Sequence, residues 1–158
     1  MIFKWLAASA LLVMTAFGVT PACAGVVRGG EALMISGLVG LQSPTLSAAN
    51  RNRLRRLIHG EAVSGSAFNV IAAQVFCRAS AVDIGSYNCE LTFGTRVVRI
   101  SNRTAHELMA TLIVAGAPPQ GAAGSTYIGV ANLRCRVAPV VIADHGGGGA
   151  ECNWEVAP

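Results

Sequence analysis

Four cysteines are the residues of this sequence whose type and spacing predict chemistry most directly. Cys77 lies close to Cys89, and Cys135 lies close to Cys152, whereas Cys23 stands alone near the N-terminus. Four cysteines allow three pairings, of which the spacing favours 77–89 and 135–152. We therefore predict two disulfides, which form and persist in an oxidising compartment.

The densest group of charges is a cluster of arginines within one predicted helix. Arg51, Arg55 and His59 fall at i, i+4 and i+8, and Arg53 and Arg56 lie between them. Such a row can bind a phosphate, a lipid headgroup, a cell-wall polymer or an acidic protein. The alternative is a solvated helix face that keeps the domain soluble. The candidate binding residues are Arg51, Arg55, Arg56 and His59.

Motifs for catalysis, metals and cofactors do not occur in the sequence. His145 with Gly146–Gly149 has the composition of an esterase oxyanion segment, but the Gly-x-Ser-x-Gly turn that such chemistry requires is missing. The same glycines lack the Lys and Ser/Thr of a phosphate loop. His59, His106 and His145 lack ligand spacing. We therefore expect no metal ion and no cofactor.

Carboxylate chemistry is the remaining route to an enzyme, because a hydrolase of cell-wall or other polymers needs two acidic groups in one cleft. Glu107, Asp144 and Glu151 are available, but nothing in the sequence brings two of them together. Helix capping explains Glu107. A small hydrolase is therefore an alternative to a binding protein.

The first 24 residues have the three parts of a secretory leader. Lys4 supplies the positive charge, Trp5–Val19 the apolar run, and Ala22–Ala24 the small residues that precede a cleavage site. We predict a signal peptide over residues 1–24 and one disulfide-stabilised domain over residues 25–158.

Cleavage before Gly25 also removes Cys23, which leaves an even number of cysteines. An uncleaved membrane anchor and a lipoprotein acylated at Cys23 are the alternatives. After cleavage we expect no transmembrane segment.

Composition adds an expectation about origin and partners. Beyond Lys4 the chain contains eleven arginines and no lysine, and against eight acidic residues the net charge is about +3. This usage, with abundant Ala and Gly, is typical of a GC-rich bacterial genome. The charge is too small to indicate nucleic-acid binding. We expect a periplasmic or secreted bacterial protein.

Two helices are predicted to position these residues. The first follows Ser43-Pro44 and ends at Gly60. The second begins at Thr104, whose side chain fits a capping box with Glu107. Each helix carries an apolar stripe at helical spacing. The stripes consist of Leu46, Leu54, Leu57 and Ile58 in the first helix and Ala105, Leu108, Met109, Leu112 and Ile113 in the second.

The disulfides are predicted to join neighbouring strands of antiparallel hairpins. One hairpin consists of Phe68–Ser80 and Tyr87–Gly94, and the other of Thr126–Val137 and residues 152–155. Setting Cys77 opposite Cys89 places an apolar set on the cysteine face, whereas the opposite face is polar except for Phe76. The predicted facing pairs are Val75 with Leu91, Ala73 with Phe93, and Ala79 with Tyr87. In the second hairpin the cysteine face is predicted to carry Tyr127, Gly129, Ala131, Leu133, Cys135 and Val137.

Two short apolar segments complete the prediction, with strands at Ala32–Ser36 and Arg96–Ser101. The chain then reads as a tandem βαββ duplication, with pseudo-repeats at about 31–94 and 96–157 and one disulfide hairpin in each. The fold class is α+β, with antiparallel strands in one or two sheets and both helices on one face.

This architecture resembles small secreted inhibitor proteins built from duplicated helix-plus-strand units, and the resemblance carries no residue motif. The sequence therefore favours an exported binding protein, inhibitors included, whose partner is an envelope or extracellular protein or an anionic polymer. A binder of polyanions or membrane surfaces through the arginine helix is the other alternative.

Overall fold

The computed structural model describes residues 24–80, 86–121, 125–138 and 149–157. These residues form six strands and three helices, which confirms the α+β class. Of the predicted leader, the structure describes Ala24 alone, as the first residue of β1. The elements in chain order are β1 (Ala24–Arg28), α1 (Gly30–Gly40), α2 (Ala48–Ile58), β2 (Phe68–Ser80), β3 (Tyr87–Phe93), β4 (Arg96–Ser101), α3 (Asn102–Val114), β5 (Ser125–Val137) and β6 (Ala150–Val156).

All six strands belong to one antiparallel sheet in the order β1-β6-β5-β2-β3-β4. The two longest strands, β2 and β5, pair along their whole length at the centre. The shortest strands, β1 and β4, form the edges, where short length limits pairing with other chains. Of the two arrangements that the sequence left open, the single sheet is therefore present.

Both predicted disulfides are present, and each joins residues directly opposite in neighbouring strands. Cys77 in β2 faces Cys89 in β3, and Cys135 in β5 faces Cys152 in β6. The predicted pairs of Val75 with Leu91 and Ala79 with Tyr87 are also present. All four cysteines are buried. We call the side of the sheet that carries them the cysteine face.

The central strands change their alternation in the middle, which the sequence did not predict. Ala72 and Val75 are both buried on the cysteine face, so the intervening Ala73 and Gln74 are exposed. In β5, Asn132 has a φ of 51°, and the pairing with β6 shifts between Ala131 and Arg134. An extra residue in one strand reverses the alternation beyond it.

Two predictions about faces are wrong for this reason. Ala73 is exposed and does not pair with Phe93. In β5 the buried partners of Cys77 and Val75 are Ile128 and Val130, so the face predicted for Tyr127, Gly129 and Ala131 is wrong, because these three lie on the opposite face from Cys135. Leu133 and Val137 are buried with Cys135, as predicted.

All three helices cover the cysteine face. The carbonyl oxygen of Ala32 in α1 lies 3.3 Å from Cys152 Sγ, and that of Ala105 in α3 lies 3.6 Å from Cys89 Sγ. Leu54 of α2 is buried at the junction of α1 with Val70 of β2. None of the described helices is both long enough and apolar enough to span a membrane.

The predicted strand at Ala32–Ser36 is wrong, because these residues belong to helix α1. A continuous apolar run does not distinguish a buried helix from a buried strand by its periodicity. In the structure, Ala32, Ile35, Ser36 and Val39 are buried, which is the i, i+3, i+4, i+7 pattern of a helix. The hydroxyl of Ser36 donates to the Ala32 carbonyl at 2.6 Å and so remains satisfied in the core.

Helix α2 begins later than predicted, at Ala48. The cap is Ser47, whose Oγ accepts a hydrogen bond from the Asn50 N–H at 3.1 Å. Ser43 is buried instead, and its hydroxyl contacts the Thr45 hydroxyl at 3.1 Å. The start of this helix is therefore marked by Ser47 and not by the Ser43-Pro44 pair that predicted it.

Helix α3 begins earlier than predicted, at Asn102, and Thr104 does not cap it. The expected partner of Thr104, Glu107, instead accepts a hydrogen bond from Arg103 Nε at 2.9 Å. A salt bridge at i, i+4 on the exposed helix surface thus replaces the capping box. The predicted stripe is buried except for Ile113.

The order of strands has a feature that concerns the predicted duplication. When β1 is exchanged with β4, β2 with β5, and β3 with β6, the result is the same strand order read from the other edge of the sheet. Helices α1 and α3 each follow an edge strand, and each contacts the disulfide that lies in the other half of the chain. Helix α1 contacts Cys152 in β6, and α3 contacts Cys89 in β3. The predicted first repeat, at about 31–94, omits β1 and starts inside α1. The duplication itself stays a prediction.

We expect peptide mapping of the non-reduced protein to give only the pairs 77–89 and 135–152, because both bridges join facing, buried residues. Removal of either bridge, as in C77A/C89A, should lower the free energy of unfolding by about 3 kcal/mol, since each bridge restricts the unfolded chain. Urea denaturation measures this change. A peptide that links Cys77 or Cys89 to Cys135 or Cys152 would contradict the structure.

The close approach of α1 to the sheet can be tested at Gly40. A Cβ there would lie 2.6 Å from Leu54 Cδ2 and 2.9 Å from Val70 Cγ2. We expect Gly40→Ala to lower the free energy of unfolding by about 1–3 kcal/mol, the usual cost of overpacking. Gly30→Ala is the matched control, because a Cβ there meets nothing within 4 Å. It should be neutral or stabilising by up to about 1 kcal/mol, and equal effects of both changes would disprove the close packing.

Candidate binding surface

The four disulfide-bonded cysteines have a structural role, because their sulfur atoms are buried. They lie between the sheet and the helices and are at most 1% exposed. The Ser36 hydroxyl, 3.6 Å from Cys152 Sγ, belongs to the same buried environment. Because thiol–disulfide exchange requires access to the sulfur atoms, these bridges serve to fix the strands.

Two arginines of the predicted binding helix form hydrogen bonds with backbone carbonyls in the segments that flank the helix. Arg51 Nη2 donates to the Ser43 carbonyl at 2.7 Å. Arg53 donates to Asn50 Oδ1 at 2.9 Å and to the Ser66 carbonyl at 2.7 Å, and its guanidinium lies 5.0 Å from the Phe68 ring centroid. The Nε atoms of Arg51 and Arg53 are both buried. These side chains therefore connect α2 to the segments that precede and follow it.

The other predicted binding residues divide into one engaged and two exposed side chains. Arg56 forms a salt bridge with Glu61 at 2.7 Å and donates to the Ala62 carbonyl at 3.3 Å. Arg55 and His59 are exposed on the outer side of α2. The structure thus leaves Arg55 and His59, of the four candidates, without an intramolecular partner among the described residues.

The acidic residues do not converge in the part of the chain that the structure describes. Glu107 lies on α3, above the cysteine face, whereas Glu151 points from β6 to the opposite side of the sheet and pairs with Arg28. Glu61 and Glu90 also pair with arginines. Asp144 and His145 lie outside the described residues. No three of the described His, Cys, Asp and Glu residues are placed to hold a metal ion.

No described element covers the side of the sheet opposite the helices. We call it the open face. It presents exposed or half-buried side chains from all six strands; most of them are polar or charged, and a few are aliphatic or aromatic. Its members are Val26, Arg28, Asn69, Ile71, Gln74, Phe76, Arg78, Asn88, Glu90, Thr92, Val97, Arg99, Tyr127, Arg134, Arg136, Glu151, Asn153 and Glu155.

An aromatic pair lies on the two central strands of the open face, β2 and β5. The ring centroids of Phe76 and Tyr127 are 5.6 Å apart, and the Arg78 guanidinium lies 5.8 Å from the Phe76 centroid. Gly129 faces Phe76 across the strands, and a Cβ at Gly129 would lie 3.7 Å from the Phe76 ring. Further along the face, Ile71 is 48% exposed.

The charges of the open face are partly neutralised. Five arginines and three glutamates lie on it, and two of the glutamates form ion pairs, Glu151 with Arg28 and Glu90 with Arg99. The third, Glu155, accepts a hydrogen bond from Asn132 at 3.0 Å. Arg78, Arg134 and Arg136 make no ion pair within the described residues. The face therefore has a positive excess.

A shallow depression of about 420 Å³ lies at the β3–β4 side of the open face. The side chains of Asn88, Glu90, Arg99 and Ser101 contribute to its lining. Arg78 lies next to it, directly opposite Asn88. The depression offers hydrogen-bond donors and acceptors beside the aromatic pair.

A second cavity, of about 350 Å³, lies between α1 and α3 on the outer surface of the helices. Its apolar rim includes Met34 and Val114, which are 44% and 72% exposed. Glu31 is its one charged lining residue among the described residues. This groove is smaller than the open face and carries less chemical variety.

Comparison with known protein families, with curated proteins and with solved structures finds no match to this chain. The surface chemistry must therefore carry the functional argument. The one sequence signal for the open face was Phe76, the apolar residue that interrupts an otherwise polar strand face. The arginines of β5 gave no separate signal, because alternation with buried residues is expected of any half-buried strand.

The structural role of the α2 arginines predicts unequal effects of truncation. Arg53→Ala should lower the free energy of unfolding by about 1–3 kcal/mol, because it removes two hydrogen bonds of a charged group and leaves Phe68 uncovered. Arg55→Ala, the matched control on the same helix, should change it by less than about 0.5 kcal/mol. Urea titration followed by circular dichroism measures both. If Arg55→Ala were the more damaging change, the assignment of roles would be wrong.

Proposed function

We propose that this protein is an exported binding protein and that its open face receives a protein partner. The observation that carries the proposal is a six-stranded sheet whose described helices all lie on one side. Its other side presents a half-buried aromatic pair, isolated exposed aliphatic side chains and three arginines that make no ion pair within the described residues. Aromatic and arginine side chains are the ones most enriched at protein interfaces.

The dimensions of the open face support this proposal. Six strands at about 4.8 Å spacing span about 24 Å, and strands of seven residues extend about 23 Å. The resulting flat area, about 550 Å² before the relief of side chains is added, is about two thirds of the 800 Å² that one partner contributes to a typical stable interface. A small ligand would occupy only a fraction of it.

Two features of the chain, its buried disulfides and its predicted signal peptide, support export as part of the proposal. The structure holds two buried disulfides, which are compatible with an oxidising extracellular or periplasmic environment. The sequence independently predicts a signal peptide that ends at Ala24. Inhibitors belong to this class of binding proteins, and in an inhibitor the sheet would cover a functional surface of the partner.

The alternatives from the sequence receive less support from the described residues. Of the four residues predicted to bind an anionic polymer or membrane surface through α2, Arg51 and Arg56 are already engaged within the protein. This alternative therefore rests on Arg55 and His59 alone. A hydrolase would need carboxylates in one cleft, and Glu107 and Glu151 lie on opposite sides of the sheet.

Position-specific photo-crosslinking in cells that produce the full chain tests the proposed function. A photoreactive phenylalanine analogue at Gln74, which is exposed on the open face, should form an adduct with one defined partner. The same analogue at Ala49, exposed on α2, is the matched control and should form none. Gel mobility and mass spectrometry identify the adduct.

A third position, Ala110 beside the groove between α1 and α3, separates the open face from the helix surface. Adducts that arise from Ala110 or Ala49 and not from Gln74 would overturn the proposal. Adducts of equal yield from all three positions would indicate random encounters and would also contradict it.

A further inference from the structure

The positive excess of the open face carries an inference about the chemistry of the partner. We propose that the partner is a protein with an acidic surface, which places carboxylates against Arg134 and Arg136 at one end of the face and against Arg78 at the other. This inference rests on the proposed function, because it specifies what the open face binds.

Arg134 and Arg136 form the stronger of the two positive sites. They are two residues apart on the same side of β5, so their Cα atoms lie about 7 Å apart. Across the neighbouring strands, Arg134 faces Ile71 and Asn153, which are uncharged. Arg136 faces Glu151, but that carboxylate is bound by Arg28 on the far side. Neither arginine has a carboxylate of its own within the described residues.

Arg78 forms the second positive site. Along β2 it lies seven residues from Ile71, the residue opposite Arg134, which corresponds to about 23 Å. Phe76, Gly129 and Gln74 lie between the two sites and are aromatic or neutral. The central strands β2 and β5 therefore carry positive charge at both ends of the open face and uncharged residues between these ends, while Glu90 on β3 and Glu155 on β6 flank this centre.

Desolvation determines what can cover this pattern. A partner that covers the face from the aromatic pair to Ile71, the residue opposite Arg134, removes water from the guanidinium groups at both positive sites. An arginine that is buried without a counter-charge is strongly unfavourable, and a carboxylate in a paired, charge-assisted contact offsets this loss. An apolar or basic protein would leave three cations uncompensated, so the partner needs acidic groups at matching positions.

The glutamates of the open face favour a protein over a uniformly anionic polymer. Glu90, Glu151 and Glu155 lie among the arginines, on three of the rows that cross the sheet. A polymer with a charge on every unit would meet these carboxylates as well as the arginines. A protein surface can place carboxylates opposite the arginines only, together with an apolar side chain opposite Phe76 and Tyr127.

A displayed library of random dodecapeptides, selected on the full chain purified with both disulfides formed, tests the inference. An extended dodecapeptide is long enough to reach both positive sites. We expect the selected peptides to be enriched in Asp and Glu around an aromatic or aliphatic residue. Their affinity should fall about tenfold or more in the variant R134E/R136E.

The matched control is R55E/R96E, which changes the net charge equally at two exposed arginines away from the open face. It should keep the affinity within about twofold, and circular dichroism checks that both variants are folded. If R134E/R136E does not fold, R134Q/R136Q replaces it, with the same expected direction. Affinity that falls as salt is raised is expected as well.

Three outcomes would overturn the inference. The first is selected peptides without acidic enrichment, or no selected peptides. The second is equal loss of affinity in R55E/R96E, which would indicate a general charge effect. The third is displacement of the peptides by polyphosphate at equal carboxylate and phosphate concentrations, which would assign the face to polyanions.

The two proposals fail separately. A crosslinked partner at Gln74 together with neutral selected peptides would leave the binding function standing and remove its acidic partner. Acidic peptides that depend on Arg134 and Arg136, with no adduct from Gln74 in cells, would show the charge preference of the face and contradict its proposed function.

Discussion

The register of the antiparallel strands, fixed by two disulfides between directly facing residues, is the constraint on which the structure depends. Cys77 faces Cys89 and Cys135 faces Cys152, so each covalent bridge excludes a slip of its hairpin. A slip of one residue would move every buried side chain of a strand to the other face. The bridges therefore determine which side of the sheet is apolar enough to bind helices and which side remains open.

The helices use this register in a crossed arrangement. Helix α1 follows β1 in the chain but covers the disulfide between β5 and β6, and α3 follows β4 but covers the disulfide between β2 and β3. Small residues permit the close contact of α1, since Gly37 approaches Ile58 and Gly40 approaches Leu54 and Val70. Each half of the chain thus completes the core of the other, and neither half is packed without its partner.

The position of the arginines shows why charge composition alone does not locate a binding surface. Four arginines cluster in the sequence of α2, yet Arg51, Arg53 and Arg56 bond to backbone carbonyls or to Glu61 nearby. Arg78 and Arg134 are far apart in the sequence and become parts of one face because β2 pairs with β5. Among the described residues neither arginine makes an ion pair, and this, rather than the number of arginines, makes them available to a partner.

The sequence by itself determined the disulfide pairing, the hairpin of β2 with β3, the strand at Arg96–Ser101 and the α+β class, because alternation and cysteine spacing are local signals. The tertiary structure alone decided that residues 30–40 form a helix, since an apolar run acquires its periodicity only from what it packs against. It also decided the reversal of faces at Ala73 and Asn132, which depends on the pairing of strands distant in the chain. The open face also depends on the tertiary structure, because its side chains share one surface only when all six strands are paired in a single sheet.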